Sequence, residues 1–132
     1  MIDRYCPFDW EAAQMQVGMV QATRQGNLLH VAGTASLDGD FAPLHVGDFN
    51  AQLECVYRRI GETLAHYGLG FPDVVREVMY TTDFDALMAA VPLRRAFYVG
   101  EKFPASTGIE VRRLMHPDLL IEVQVDAAFP SG

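Results

Sequence analysis

The amino-acid sequence predicts one α+β domain in which two helices cover one face of a sheet. Three observations carry that prediction. Apolar residues recur at three- and four-residue spacings from Leu53 to Tyr67, which is a helical period. From Ile121 to Phe129 their alternation with polar residues is clear, which is a strand period. Elsewhere β-branched runs stand between turn signals. The predicted order is strand, strand, helix, strand, helix, strand, strand. The chain has 132 residues, no internal repeat and no Pro/Gly/Ser-rich linker, so residues 1–132 read as a single domain.

Residues 1–14 carry no clear period, but Phe8 and Trp10 suggest docking onto the body. Val17 to Thr23 alternates loosely, Gln25-Gly26-Asn27 is a turn signal, and Asn27 to Thr34 is a second strand, together a hairpin. Residues 36–40 form a loop. Asp48 caps a helix running to about Tyr67, whose stripe is Leu53, Val56, Tyr57, Ile60, Leu64 and Tyr67. Gly68 then occupies the left-handed position that ends many helices. Val74 to Thr82 reads as a strand. Asp83 caps the second helical region, which Pro92 kinks or restarts and which ends near Tyr98. Strands follow at about Thr107 to Leu114 and Leu119 to Phe129.

In the last strand Ile121, Val123, Val125, Ala127 and Phe129 face one way, and Glu122, Gln124, Asp126 and Ala128 the other. That second face is too polar for a dry core and too regular for a plain solvent face. A subunit interface with wet pockets explains it.

Half the residues are apolar, a fifth are charged and the net charge is −7. An acidic chain repels phosphates, which disfavours a general nucleic-acid binder. Arg58–Arg59, Arg94–Arg95 and Arg112–Arg113 are the possible basic patches, and they read rather as surface or subunit contacts. Cys6 and Cys55 are too few for a disulfide framework. Reduced thiols and a cytoplasmic setting are expected. The first residues lack a basic start followed by an apolar run, so no signal peptide is expected, and no apolar stretch reaches membrane-spanning length. His30, His45, His66 and His116 lack metal-ligand spacing.

From about Met19 to Phe129 the chain resembles the Rid/YjgF family, whose members are also described as endoribonuclease L-PSP. The resemblance rests on Val20-Gln21 with Gly26-Asn27-Leu28-Leu29-His30-Val31-Ala32-Gly33, and on Ala65-His66-Tyr67-Gly68-Leu69 with Asp73-Val74-Val75. It is strongest in Phe103-Pro104-Ala105-Ser106-Thr107-Gly108-Ile109-Glu110-Val111 and Leu120-Ile121-Glu122-Val123. It implies a chorismate-mutase-like fold with a mixed sheet, a homotrimer with small-molecule clefts between subunits, and no metal or organic cofactor. For the best-known branch it implies hydrolysis of enamines and imines to ketoacids and ammonia.

Carried over residue by residue, the resemblance implies that Glu122 is the catalytic acid that positions water, and that Gly33 and Gly108 line the cleft. The arginine that clamps the substrate carboxylate in that branch is Ser106 here, a pocket tyrosine is Met19, and an asparagine on the second helix is Val91. Those departures argue against the usual 2-iminoacid substrate. Ser106 and Thr107 remain candidate substrate contacts through hydroxyls and backbone amides, or else they cap the start of a strand. A nucleophilic serine is disfavoured because no base adjoins it. Glu122 has a structural alternative as an ion-pair partner of Arg112 or Arg113, and Glu110 reads as structural. The functional expectations are thus a deaminase-like hydrolase of C=N or enamine bonds, a non-catalytic metabolite-binding or regulatory trimer, and, least favoured, an endoribonuclease.

Overall fold

The computed structural model describes residues 1–131. Six strands form one mixed sheet: β1 (Ile2–Tyr5), β2 (Ala22–Gln25), β3 (Leu28–Ala35), β4 (Val74–Thr81), β5 (Ala105–Glu110) and β6 (Ile121–Ala128), in the order β1-β2-β3-β6-β4-β5. All neighbours are antiparallel except β4 and β5, which run parallel because a helical crossover joins them. The α+β expectation is borne out.

One helix dominates the covered face. α2 (Phe49–His66) starts where the Asp48 carboxylate accepts from the Ala51 amide at 3.1 Å. It ends at Gly68, whose φ of +72° suits a residue without a side chain. Leu53, Val56, Tyr57, Ile60 and Leu64 are fully buried against Leu29, Val31, Ile121, Val123 and Val125 of β3 and β6. Burying an aliphatic side chain contributes roughly 1.5–3 kcal/mol, so this stripe is the main apolar cohesion of the fold. The second helical region is two short helices, α3 (Phe84–Ala89) and α4 (Val91–Arg95). Asp83 caps the first, and Pro92 sits in the first turn of the second, where its missing amide is harmless.

The N-terminal region departs from expectation. Ile2–Tyr5 pairs with β2 as an edge strand, and a helix, α1 (Glu11–Val17), precedes the hairpin. Val17 therefore ends a helix, and the following strand begins only at Ala22. The loose alternation misled because helix and strand templates overlap in so short a run. Trp10 does dock, at 2% exposed, but Phe8 does not, at 96%. The strand expected at Thr107–Leu114 begins earlier and stops at Glu110.

α1 and its flanks place a second, smaller apolar cluster of Trp10, Ala35, Leu37 and Leu119, with Phe41 and Leu114 packed against it. This cluster roofs the Glu122 end of the polar face. β3 also changes register against β6 between Val31 and Thr34, leaving Ala32 and Gly33 in a bulge.

Candidate functional site

The bulge and the roof together make a cavity of about 230 Å³ lined by Trp10, Gln14, Met19, Gln21, Gly33, Ala35, Leu37, Phe41, Met115 and Glu122. Strand alternation puts Glu122 on the polar side of β6. Gly33 makes room for it. A Cβ at residue 33 would stand 2.9 Å from Glu122 Cδ and closer still to Oε2. Burial pushes the Glu122 carboxyl above the usual glutamate range. No hydrogen-bond or ion-pair partner of its side chain is found among the described residues. The proposed structural partners lie elsewhere: Arg113 donates to the Met115 carbonyl at 3.2 Å, and Arg112 forms no ion pair among the described residues.

Trp10 forms the aromatic wall. Its indole N–H donates to the Asp38 carbonyl at 3.1 Å, Phe41 meets it edge-on at 5.8 Å, and the Arg59 guanidinium lies 3.9 Å over its ring. Arg59 is itself held by two bonds to Asp9, which satisfies its charge away from the cavity. Further along the same sheet face lies a groove of about 360 Å³ that shares Gln21 and Gly33 with the cavity. There His30 Nδ1 lies 2.7 Å from Asp126 Oδ1, and the Tyr80 hydroxyl donates to Gln124 Oε1 at 2.8 Å.

Of the sequence-predicted site residues, the fold brings Met19, Gly33 and Glu122 together. It does not bring Ser106, Thr107 or Gly108 to them. In the β4–β5 register Ser106 pairs with Glu77, Thr107 with Val78 and Gly108 with Met79. Ser106 therefore faces the helix layer, where its hydroxyl donates to Glu77 Oε1 at 2.7 Å. Gly108 also faces that layer, against the Phe84 ring. Thr107 alone shares the Glu122 face, two strands away, which is roughly 10 Å at ordinary strand spacing. All six residues of β5 are exposed on this edge. Glu110 accepts from the Phe84 amide at 3.3 Å at the start of α3.

Two features escaped the sequence reading. The first is Glu77, fully buried under the helices. Tyr57 and Tyr98 donate to its Oε2, while Arg94 and Ser106 donate to its Oε1. Burial alone would raise its pKa, but the hydrogen bonds of Arg94, Tyr57, Tyr98 and Ser106 outweigh burial and hold it below the usual range. Arg94 is thus a half-buried structural cation rather than part of a surface patch. The signal was a glutamate on the inward side of an apolar strand. The second is Gln14, buried beside Glu122, which had no local signal at all. Among the described residues no cluster of three or more His, Cys, Asp or Glu is arranged to hold a metal ion, and no helix is long and apolar enough to cross a membrane.

The sequence model described as Endoribonuclease L-PSP matches residues 11–129. A RutC family protein of Pyrococcus abyssi is 33% identical over 107 residues, spanning 81% of this chain and 83% of that protein. Among solved structures, Rv2704 of Mycobacterium tuberculosis, described as a member of the YjgF/YER057c/UK114 family, superposes with a TM-score of 0.79 at 30% identity. It covers 97% of this chain and 99% of its own. The protein YJGH gives a TM-score of 0.85 at 22% identity over 98% of each chain, a likeness of fold alone.

Proposed function

The chain belongs to the endoribonuclease L-PSP family, the YjgF/Rid group, and from that premise we propose that it hydrolyses a small imine, or an enamine after tautomerisation, in the Glu122 cavity. One observation carries the reading. Glu122 is a half-buried carboxyl with a raised pKa and, among the described residues, no hydrogen-bond or ion-pair partner, standing over Gly33 in a cavity with an aromatic wall. A carboxyl of that kind can both take up and return a proton. In the proposed reaction Glu122 takes a proton from water as the oxygen attacks the C=N carbon. It returns that proton to nitrogen to give a carbinolamine; Glu122 then carries the carbinolamine's hydroxyl proton to the amino nitrogen, the C–N bond breaks as the C=O bond forms, and ammonia and a carbonyl compound leave. No redox partner is needed.

The cavity in one chain is half open, and the exposed polar face and edge strand β5 support completion of the site by a second copy. On this reading three copies close around shared clefts, and Thr107 and the Ser106 backbone of one subunit approach Glu122 of the next. A trimer by light scattering at micromolar concentration is expected; a monomer would refute this part.

Ammonia release measured across simple imines tests the chemistry. Glu122→Gln should lower the rate by roughly 100-fold or more, the usual contribution of a general acid–base group. Equal rates for the two proteins would eliminate the role given to this carboxylate.

A second reading, a non-catalytic metabolite-binding or regulatory trimer, is favoured by Ser106. It stands where the deaminases place their arginine, and its hydroxyl is engaged by Glu77. Such a protein should gain roughly 2.7 kcal/mol of stability from a metabolite at a hundred times its Kd, and should release no ammonia. The acidic net charge of −7 weighs against ribonuclease action.

A further inference from the structure

The roof of the Glu122 cavity depends on α1, and α1 does little to fix itself. Its seven residues are too few for a helix that persists by its own hydrogen bonds. Trp10, at its start, makes no side-chain cap. Tertiary contacts must therefore place it. Within the helix, a relay ties Gln14 to the hairpin: Gln14 Nε2 donates to Gln21 Oε1 at 2.8 Å, and Gln21 Nε2 to Thr34 Oγ1 at 2.9 Å. The start of the helix is held through Trp10, which is 2% exposed and lines the cavity. Besides its apolar neighbours, Trp10 meets the Asp38 carbonyl and Phe41, both in the loop after β3, and Arg59 of α2. Of these, Arg59 has the firmest seat, because the apolar stripe of α2 is fully buried against the sheet.

A guanidinium is flat and carries a fork of donors, so it can cover a ring and bind a carboxylate at once. Arg59 does both. Its Cζ lies 3.9 Å over the Trp10 ring, and its two terminal nitrogens donate to the Asp9 carboxylate at 2.9 Å each. One side chain, 17% exposed, thus holds two consecutive residues that lead into α1. Arg59 itself is absent from the cavity lining. The N-terminal strand has separate anchors on the same helix: Tyr5 stacks on His66 at 3.8 Å, and the Tyr67 hydroxyl donates to Asp3 at 2.7 Å. Loss of the Arg59 contacts therefore frees Asp9 and Trp10 while β1 stays tied.

We propose that Arg59 is a positioning residue: from outside the Glu122 cavity it sets the place of Trp10 and, through Trp10, how far water reaches Glu122. The inference rests on the Glu122 cavity being the functional site, whatever chemistry runs there. A lysine at this position keeps the charge but has neither the fork for Asp9 nor the plane for Trp10.

Trp10 is the only tryptophan in the chain, so its fluorescence reports this contact alone. Two measurements on the intact protein test the proposal: quenching of Trp10 by acrylamide, and NMR titration of the Glu122 side-chain carboxyl. Arg59→Lys should raise the quenching constant about two- to fivefold, the scale of one lost cation–π contact. It should also bring the Glu122 pKa down toward the ordinary 4.5, because burial raises that pKa and a loosened wall admits water. The retained charge keeps long-range electrostatics out of the comparison. Asp9→Asn should move both readouts in the same direction by less. Wild-type quenching in Arg59→Lys overturns the proposal, and so does an unchanged Glu122 titration. If Arg59→Lys does not fold, Asp9→Asn decides, since the Asp9 side chain is 52% exposed and its loss spares the core. An unchanged value of either readout in that variant then overturns the proposal. Ammonia release that survives Glu122→Gln sinks the hydrolytic reading and leaves this inference standing. Loss of ammonia release in Glu122→Gln, with neither readout moved in Arg59→Lys, sinks this inference alone.

Discussion

Glu77 and Glu122 lie on adjacent strands of one sheet and point to opposite faces, Glu77 beside Val125 and Glu122 beside Tyr80 in the β4–β6 register. Burial pushes both pKa values upward, yet they end on opposite sides of the ordinary glutamate value of 4.5. Beneath the helices, an arginine, two tyrosines and a serine converge on Glu77, and hydrogen bonding outweighs desolvation. Across the sheet, none of the described residues donates to the Glu122 side chain, and desolvation prevails. A carboxylate saturated with donors is a structural clamp. One that the fold shelters but leaves unpaired retains the capacity to bind or to exchange a proton. The same residue type thus divides into architecture and chemistry according to its neighbours.

The largest expected effect follows from breaking the clamp. Glu77→Gln leaves Arg94, whose side chain is 13% exposed, as a nearly buried cation without its partner. Stability at pH 7 should fall by roughly 3–5 kcal/mol, measured by urea denaturation. Because the folded pKa of Glu77 is depressed, its contribution is present above about 4.5 and is lost as pH falls through the lower folded value. The deficit of the variant should therefore shrink in acid. A loss below about 1 kcal/mol at pH 7 would refute the clamp.

A smaller effect tests the contact that shapes the cavity. Gly33→Ala forces a methyl group against the Glu122 carboxylate and should cost about 1–3 kcal/mol. Pairing it with Glu122→Ala should recover about 1 kcal/mol or more, as neighbours sharing one space do. Strict additivity in that double-mutant cycle would show that Glu122 does not occupy the space above Gly33.

The smallest effect has the opposite sign. The folded pKa of Glu122 is raised, so its contribution to stability is full below about 4.5 and declines as pH rises through the folded value. Glu122→Gln escapes that decline. It should be more stable than the wild type at pH 8 by less than about 1 kcal/mol, since the group is partly solvated, and the gain should vanish in acid. Thermal melts across pH would show the two glutamate variants moving in opposite directions. Parallel behaviour would contradict the contrast between the two faces.

Much of the fold was legible because its signals are local. Asp48, the stripe from Leu53 to Leu64 and Gly68 delimit α2 without reference to any other segment. The alternation of β6 separates Glu122 from the core in the same way. Residues 1–17 were not legible, since a four-residue strand and a seven-residue helix carry too few periods to identify. Within the site, Met19, Gly33 and Glu122 could be named from a resemblance of motifs. Ser106 and Gly108 could be named in the same way, but only the register against β4 shows that they face the helices.

Sequence by itself determined the periodic elements, the polar face of the last strand and the family, because each is written in residues close together or in an ordered set of motifs. Tertiary structure alone decided which glutamate is saturated and which is free. Tyr57, Glu77, Arg94, Tyr98 and Ser106 come from four elements and a loop, and the Gln14–Gln21–Thr34 relay joins a helix to a hairpin. A hydrogen bond is set by distance and direction in space, and the order of residues along a chain does not specify those until the chain has folded.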